Sequence, residues 1–251
     1  MYYYIMEPAG GKAVAWQERV KTILGDLGIA GETVTPSPAR TIEELASLGV
    51  VKGYSTIVAV GSEKLVNKIV TTIINQKESQ EIVLGIIPDN YESSLAKKIR
   101  VKDLKDACET LKYRKLETIS ACFIEPNKYF LTEASIDSNH PVDAYLTTPF
   151  IKAGLPFNKI TIRPGLKINI FDTSSKRSGN KLFGWLFGGK AQNNDVYSSF
   201  FHTKRLKIET LDQTLPVKVD DEVISKTPII CENRPKALKI IVARDIIELN
   251  K

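Results

Sequence analysis

The sequence has few of the residues that form cross-links or bind metal ions. Its 251 residues include three cysteines and two histidines. The cysteines share no metal-ligand spacing, their number is odd, and neither histidine lies near a cysteine in the sequence, so the pattern predicts neither a disulfide framework nor a structural zinc site. We therefore expect reduced thiols in or near hydrophobic cores.

Long hydrophobic runs are also missing. No run approaches the roughly 20 apolar residues of a membrane span. The first five residues, Met-Tyr-Tyr-Tyr-Ile, read as a strand and lack the basic, apolar and small-residue sections of a signal peptide. With 43% hydrophobic residues the chain can build a substantial core. These features predict a globular, cytoplasmic protein.

Positive charge is concentrated in one part of the chain. The net charge is +6, and residues 152–207 contain eleven Lys and Arg but two acidic residues. Nucleic-acid binding is disfavoured, because the aromatic residues of this stretch form one cluster and do not alternate with the cations.

A short segment inside this basic stretch combines cations with large apolar residues next to glycines. Such a combination is typical of a segment in a membrane interface, with the protein held reversibly at an anionic surface. A short helix that packs its apolar residues into a core accounts for the same pattern. The candidate membrane-contact residues are Lys181, Phe183, Trp185, Leu186, Phe187 and Lys190.

The first half of the chain alternates strand and helix patterns. An apolar, β-branched run at residues 56–60 ends at Gly61, and an amphipathic helical pattern follows at once. Similar strands are predicted at residues 2–6, 32–35 and 82–88, and Thr41 with Glu44 forms a capping-box pattern. Regular alternation predicts a parallel sheet whose ligands lie beyond the carboxyl ends of the strands.

The second half has a different pattern. From residue 117 short extended segments are separated by turn residues, which predicts antiparallel β structure. The predicted fold class is an α/β N-terminal domain with a parallel Rossmann-like sheet, residues 1–116, followed by an antiparallel β-rich C-terminal domain, residues 117–251.

The turn after residue 60 is a candidate phosphate site, because the free N–H groups at a helix start attract anions. A loop that holds phosphate normally contains more glycine, and Ser62, Glu63 and Lys64 occupy this turn instead. Ser and Glu are equally typical of a solvated first helical turn without a site.

Several segments carry a resemblance to a known family. Glu-Pro-Ala-Gly-Gly at residues 7–11, Gly-Ser-Glu-Lys-Leu at 61–65 and Gly-Ile-Ile-Pro at 85–88 lie at predicted strand ends. They resemble the Asn-Pro-x-x-Gly, Gly-Gly-Asp-Gly-Thr and Gly-Ile-Ile-Pro-Leu-Gly-Thr-Gly-Asn motifs of the diacylglycerol kinase and sphingosine kinase group, which is related in fold to the nicotinamide nucleotide kinases. Residues 217–223 and 234–242 resemble its last hairpin and last strand, so the resemblance spans the chain.

The resemblance implies ATP and Mg²⁺ as cofactors and transfer of the γ-phosphate to a lipid hydroxyl. It assigns catalysis to Glu63 and Asp220, and the metal to Asp220 and Glu222. The implied nucleotide-binding residues are Pro8, Gly10, Gly11, Lys12, Gly61, Ser62, Lys64, Asn67 and Pro88.

The residues that carry the chemistry differ from the family pattern at each of these places. Lys64 replaces a glycine, Glu63 an aspartate, and the loop after residue 88 has lost its glycines. These changes favour an impaired or inactive copy that serves as a lipid-, nucleotide- or protein-binding module. The alternative is an active kinase for diacylglycerol, a sphingoid base or a polyprenol. A lipid or an anionic membrane surface, at which the protein would be peripheral, is the expected partner, and a homodimer is left open.

Overall fold

The structure, a computed structural model, describes residues 1–8, 12–76, 82–172 and 197–244. The chain divides into two compact units. The first comprises Met1–Phe123, Asn127–Thr132 and Arg234–Lys251, and the second comprises Ile124–Pro126 and Glu133–Asn233. This division differs from the single boundary predicted after residue 116, because the chain returns to the first unit twice.

The first unit contains the alternating elements. In chain order they are β1 (Tyr2–Met6), α1 (Lys12–Asp26), β2 (Glu32–Val34), α2 (Ile42–Val51), β3 (Thr56–Gly61), α3 (Glu63–Asn75), β4 (Val83–Pro88), α4 (Ser94–Ile99), α5 (Leu104–Tyr113), β5 (Lys115–Ile124) and β6 (Lys128–Phe130).

The second unit is built from strands. They are β7 (Ala134–Thr147), β8 (Lys152–Arg163), β9 (Lys167–Asp172), β10 (Tyr197–His202), β11 (Arg205–Thr210), β12 (Pro216–Val219) and β13 (Glu222–Lys226). The last strand, β14 (Ile229–Val242), begins in the second unit and ends in the first.

The sheet of the first unit is parallel, as the alternation predicted. Its strand order is β14-β4-β3-β1-β2, and neighbouring strands pair in parallel. Every residue of β3 and β4 is buried, which accounts for their continuous apolar sequences, since a central strand of such a sheet is covered on both faces. The predicted fold class is confirmed for this part of the chain.

Local sequence fixes where two helices of this unit begin. The Thr41 hydroxyl accepts the N–H of Glu44, and the Glu44 carboxylate accepts the N–H of Thr41 at 2.8 Å, so the predicted capping box is confirmed. Ser62 caps α3 in the same way, with its Oγ accepting the N–H of Leu65.

The second unit is antiparallel, as predicted. Its strands follow the order β10-β9-β8-β7-β11-β14, and β12 pairs with both β7 and β13. The long hairpin β7–β8 is irregular between Asp137 and Val142. In addition to β8, the first half of β7 pairs with β12 and the second half pairs with β11, so the neighbouring strand of β7 changes along its length.

Candidate functional site

The ends of three parallel strands meet at one edge of the first unit. Register pairs Met6 with Val60 and Gly61 with Pro88. The N–H of Glu7 donates to the Val60 carbonyl at 3.0 Å, and the N–H of Asp89 donates to the Gly61 carbonyl at 3.2 Å. The residues that follow β1, β3 and β4 therefore form a common rim, the position where ligands of parallel sheets bind.

A carboxylate of the protein occupies the turn after β3. Glu7 Oε2 accepts the backbone N–H of Ser62 at 2.8 Å, and Oε1 accepts the Ser62 hydroxyl at 2.9 Å. Gly61 has a φ of +145°, and a Cβ added to it would lie 2.6 Å from Glu7 Oε2. The glycine is thus required by its backbone conformation and by the close approach of Glu7. A carboxylate of the protein therefore accepts the N–H and the hydroxyl of Ser62 at this helix start, a position where anions are favoured.

The carboxylate of Glu63 bridges two helices. Glu63 is the first residue of α3, and its Oε1 accepts the hydroxyl of Ser94 and the N–H of Leu95, both at 2.9 Å. These donors lie at the start of α4, where N–H groups have no partner within the helix. The contacts assign Glu63 a capping role toward α4.

A third carboxylate lies on this rim. Partial desolvation raises the pKa of Asp89 above its ordinary value of 3.8, and the neighbouring charge of Glu7 raises it further. Backbone N–H groups of Asp89 and Asn90 act in the opposite direction. Asp89 and Glu7 therefore lie close enough on this rim for their charges to interact.

The remaining predicted nucleotide residues have varied surroundings. Asn67 is buried: its Nδ2 donates to Thr132 Oγ1 at 2.7 Å, and its Oδ1 accepts the N–H of Leu131 at 2.8 Å. Lys64 is exposed, and Pro88 is buried at the end of β4.

Other predicted residues are only partly described. Pro8 is exposed, and Gly10 and Gly11 lie outside the described residues. Lys12 begins α1, but its side chain is outside the description, as are all the candidate membrane-contact residues between 181 and 190. The membrane-contact assignment stays a prediction.

The other two predicted acids belong to a hairpin of the second unit. Asp220 and Asp221, with φ of +49° and +62°, form the turn that joins β12 to β13, and Glu222 begins β13. Within residues 1–8, 12–76, 82–172 and 197–244, no three His, Cys, Asp or Glu side chains are grouped so as to hold a metal ion. The predicted Mg²⁺ role of this hairpin stays a prediction.

The second unit contains an apolar cavity of about 630 Å³. Strands β7, β8, β9 and β10 contribute its walls, and residues of the β7–β8 turn line part of it. A volume between about 300 and 1,000 Å³ with mostly apolar walls is typical of small-molecule pockets. The lining residues are Leu146, Thr148, Pro149, Phe150, Ile151, Ala153, Leu155, Ile170, Ser199, Phe201, His202, Thr203 and Lys204.

Sequence reasoning missed the two features that the structure brings out. The family motif matches Glu7 only with its Asn. A signal was nevertheless available in the sequence: Glu7 is an acidic residue directly after β1, and the neighbouring strand β3 leads into the N-terminus of α3. The pocket residues come from four strands, and the sequence held one hint, the apolar turn Pro-Phe-Ile at residues 149–151.

A parallel α/β unit together with an antiparallel β unit is also the architecture of solved structures to which this chain is similar. Among solved structures, a diacylglycerol kinase from Bacillus anthracis str. Sterne is similar, with a TM-score of 0.70, 14% identity and 96% of each chain covered. Two candidate diacylglycerol kinases from the same organism are similar with TM-scores of 0.74 and 0.72 at 13% identity, covering 98% and 96% of each chain. The resemblance seen in the motifs is thereby confirmed for the fold.

No protein-family model and no curated protein matches the sequence. In the part of the chain that the structure describes, no helix is both long and apolar enough to cross a membrane.

Proposed function

We propose that this chain is a lipid-binding protein that keeps the lipid kinase fold but has lost, or nearly lost, phosphoryl transfer. The observation that carries the proposal is the position of Glu7. Its two carboxylate oxygens take the N–H and the hydroxyl of Ser62, at 2.8 and 2.9 Å. The resemblance implies that, in the related kinases, the corresponding turn donates hydrogen bonds to a phosphate of the nucleotide.

Electrostatics on the rim support loss of nucleotide binding. Two unit charges 4 Å apart repel by about 4 kcal/mol at the effective dielectric constant of about 20 that suits a protein surface. A phosphate near Ser62 would meet the charge of Glu7 at short range, and Asp89 adds to it. Lys64 offers a compensating charge but is exposed on the first turn of α3.

The cavity of the second unit supports lipid binding. Its walls include buried Leu146 and Ile170 and half-buried Leu155 and Phe201, which suit an acyl chain. Each CH₂ group that is buried contributes about 0.8 kcal/mol of binding free energy, so an acyl chain of ordinary length can supply the whole binding energy. Lys204, which also lines the cavity, suits the acidic or polar head of an amphiphile.

A soluble fluorescent fatty acid, used below its aggregation concentration, tests the binding part of the proposal. Ala153→Trp places an indole in the cavity, and we expect Kd to rise about tenfold or more, because most of the apolar contact area of the ligand is lost. Ala15→Trp, on the exposed part of α1, is the matched control and should leave Kd unchanged. Absence of binding by the unmodified chain, or equal binding by both variants, would contradict the proposal.

The alternative is an active lipid kinase, and the fold similarity to diacylglycerol kinases over 96–98% of the chain favours it. Transfer of radiolabelled γ-phosphate from ATP to diacylglycerols, sphingoid bases and polyprenols separates the two. Glu63→Gln is the informative variant, because its amide oxygen can still accept the bonds from Ser94 and Leu95. Robust turnover that this variant abolishes would sink the non-catalytic proposal.

A further inference from the structure

The turn between β7 and β8 exposes apolar side chains that a soluble surface normally covers. Phe150 is 92% exposed and Ile151 is 66% exposed, and Pro149 precedes them. We call residues 149–151 the hydrophobic tip. Contiguous exposed apolar side chains, in contrast to single ones, are typical of an interaction site.

The backbone of the hydrophobic tip has internal partners for its donors. Thr148 Oγ1 accepts the N–H of Ile151 at 3.0 Å and that of Phe150 at 3.3 Å, and Pro149 has no N–H. The N–H of Thr148 donates to the Ile151 carbonyl at 2.8 Å. A turn that leaves water must satisfy its polar groups internally, since each unpaired group costs several kcal/mol in hydrocarbon. This turn meets that requirement for all its N–H groups.

Cations lie next to the hydrophobic tip. Register places Lys152 and Lys207 on either side of Thr147, at the end of the hairpin, and Lys207 also bonds to Glu209 at 2.6 Å. The ammonium of Lys152 lies 4.3 Å from the ring centroid of Tyr145. A lysine with an aromatic partner beside an apolar insertion is the arrangement expected at the boundary between lipid head groups and acyl chains.

We infer that the hydrophobic tip docks the second unit on an anionic lipid surface, with Phe150 and Ile151 entering the acyl region and Lys152 and Lys204 contacting head groups. The sequence around it agrees in charge, with eleven basic and two acidic residues between 152 and 207. A protein partner has less support, because the backbone bonds inside the turn leave none of its N–H groups to pair with another chain. The inference goes beyond lipid binding in the cavity, since a protein can hold a lipid without docking on a bilayer.

Flotation with vesicles of phosphatidylcholine containing phosphatidylglycerol tests the inference. We expect the unmodified chain to float with these vesicles, and the double variant Phe150→Ser/Ile151→Ser to partition at least about tenfold less, because two large apolar side chains no longer enter the bilayer. Both side chains are exposed, so the variant should keep its fold. Val51→Ser, at an 81% exposed valine of the first unit, is the matched control and should float normally.

Charge is tested separately. Lys204→Gln should lower partitioning on anionic vesicles about fivefold, with little effect on vesicles of phosphatidylcholine alone. Lys105→Gln, at an exposed lysine of α5 in the first unit, is its control. Flotation of the double variant at the level of the unmodified chain would overturn the inference, and so would failure of the unmodified chain to float.

Two further outcomes separate this inference from its rivals. If the double variant changes a dimer into a monomer in sedimentation and leaves flotation unchanged, the hydrophobic tip is a contact between copies and the inference is overturned. A loss of fatty-acid binding through Ala153→Trp with normal flotation supports docking independently of the cavity.

Discussion

Replacing Glu7 by Gln removes the negative charge from the rim while keeping the shape of the side chain. The amide can still accept the N–H of Ser62 with its oxygen and donate to the Ser62 hydroxyl with its nitrogen. Two charge-assisted hydrogen bonds become neutral ones, and each loses about 1 kcal/mol. Relief of the repulsion from Asp89 offsets part of this loss. The free energy of unfolding should therefore fall by about 1 to 2 kcal/mol.

The same variant should bind ATP more tightly than the unmodified chain. Repulsion between a phosphate and the Glu7 carboxylate is of the order of 4 kcal/mol at 4 Å and an effective dielectric constant of 20. Recovery of a quarter of that energy corresponds to an increase in affinity of about fivefold. Opposite changes in stability and in nucleotide affinity are a combination that simple damage to the fold does not produce.

Urea unfolding measures the first effect, and titration calorimetry with ATP the second. Glu18→Gln, at an exposed glutamate of α1, is the control and should alter neither quantity by more than about 0.5 kcal/mol. The reasoning is refuted if the unmodified chain binds ATP more tightly than Glu7→Gln, or if the variant shows unchanged stability and unchanged affinity.

Three further predictions concern the first unit. Because the pKa of Asp89 is raised above 3.8, the native state binds more protons than the unfolded state between pH 3.8 and the native pKa, and the ionised carboxylate lowers stability at neutral pH. Asp89→Asn should thus raise the urea midpoint at pH 7, with the gain vanishing below pH 3.8; a gain independent of pH would contradict this. Gly61→Ala should lower the free energy of unfolding by about 2 kcal/mol or more, because Gly61 has a φ of +145° and the new Cβ would lie 2.6 Å from Glu7 Oε2. An unchanged urea midpoint would disprove the close contact. Asn67→Leu should cost about 2 to 4 kcal/mol, because it leaves the N–H of Leu131 and the hydroxyl of Thr132 without this partner in the interior, whereas a purely ligand-binding Asn67 would leave stability unchanged.

Local patterns were enough to predict much of the architecture. The apolar run before Gly61 became β3, the Thr41 and Glu44 capping box formed, and strand and helix alternated as a parallel sheet requires. These features depend on side-chain periodicity and on hydrogen bonds between residues three or four apart, which a sequence displays directly. The same holds for the antiparallel second half, whose turn residues recur at short intervals.

Tertiary structure decided the character of the rim. Glu7 and Ser62 are 55 residues apart, and Glu63 and Ser94 are 31 apart. Whether such side chains meet depends on strand order and on register, and a shift of one residue in a strand would turn each side chain to the opposite face. From the sequence Glu63 was a candidate catalyst; that role stays a prediction, and the structure adds the contacts of Glu63 with the start of α4.

The cavity was likewise visible only in the folded chain, and so was the exposure of the hydrophobic tip, of which the sequence shows only the apolar residues. Residues from β7, β8, β9 and β10 come together because β7 pairs with β8, β8 with β9 and β9 with β10. The sequence by itself determined which segments are strands and helices and that the motifs follow a lipid kinase order. Only the tertiary structure decided that the Glu7 carboxylate binds the turn after β3 and that Phe150 faces solvent, because both depend on how segments distant in the chain are arranged.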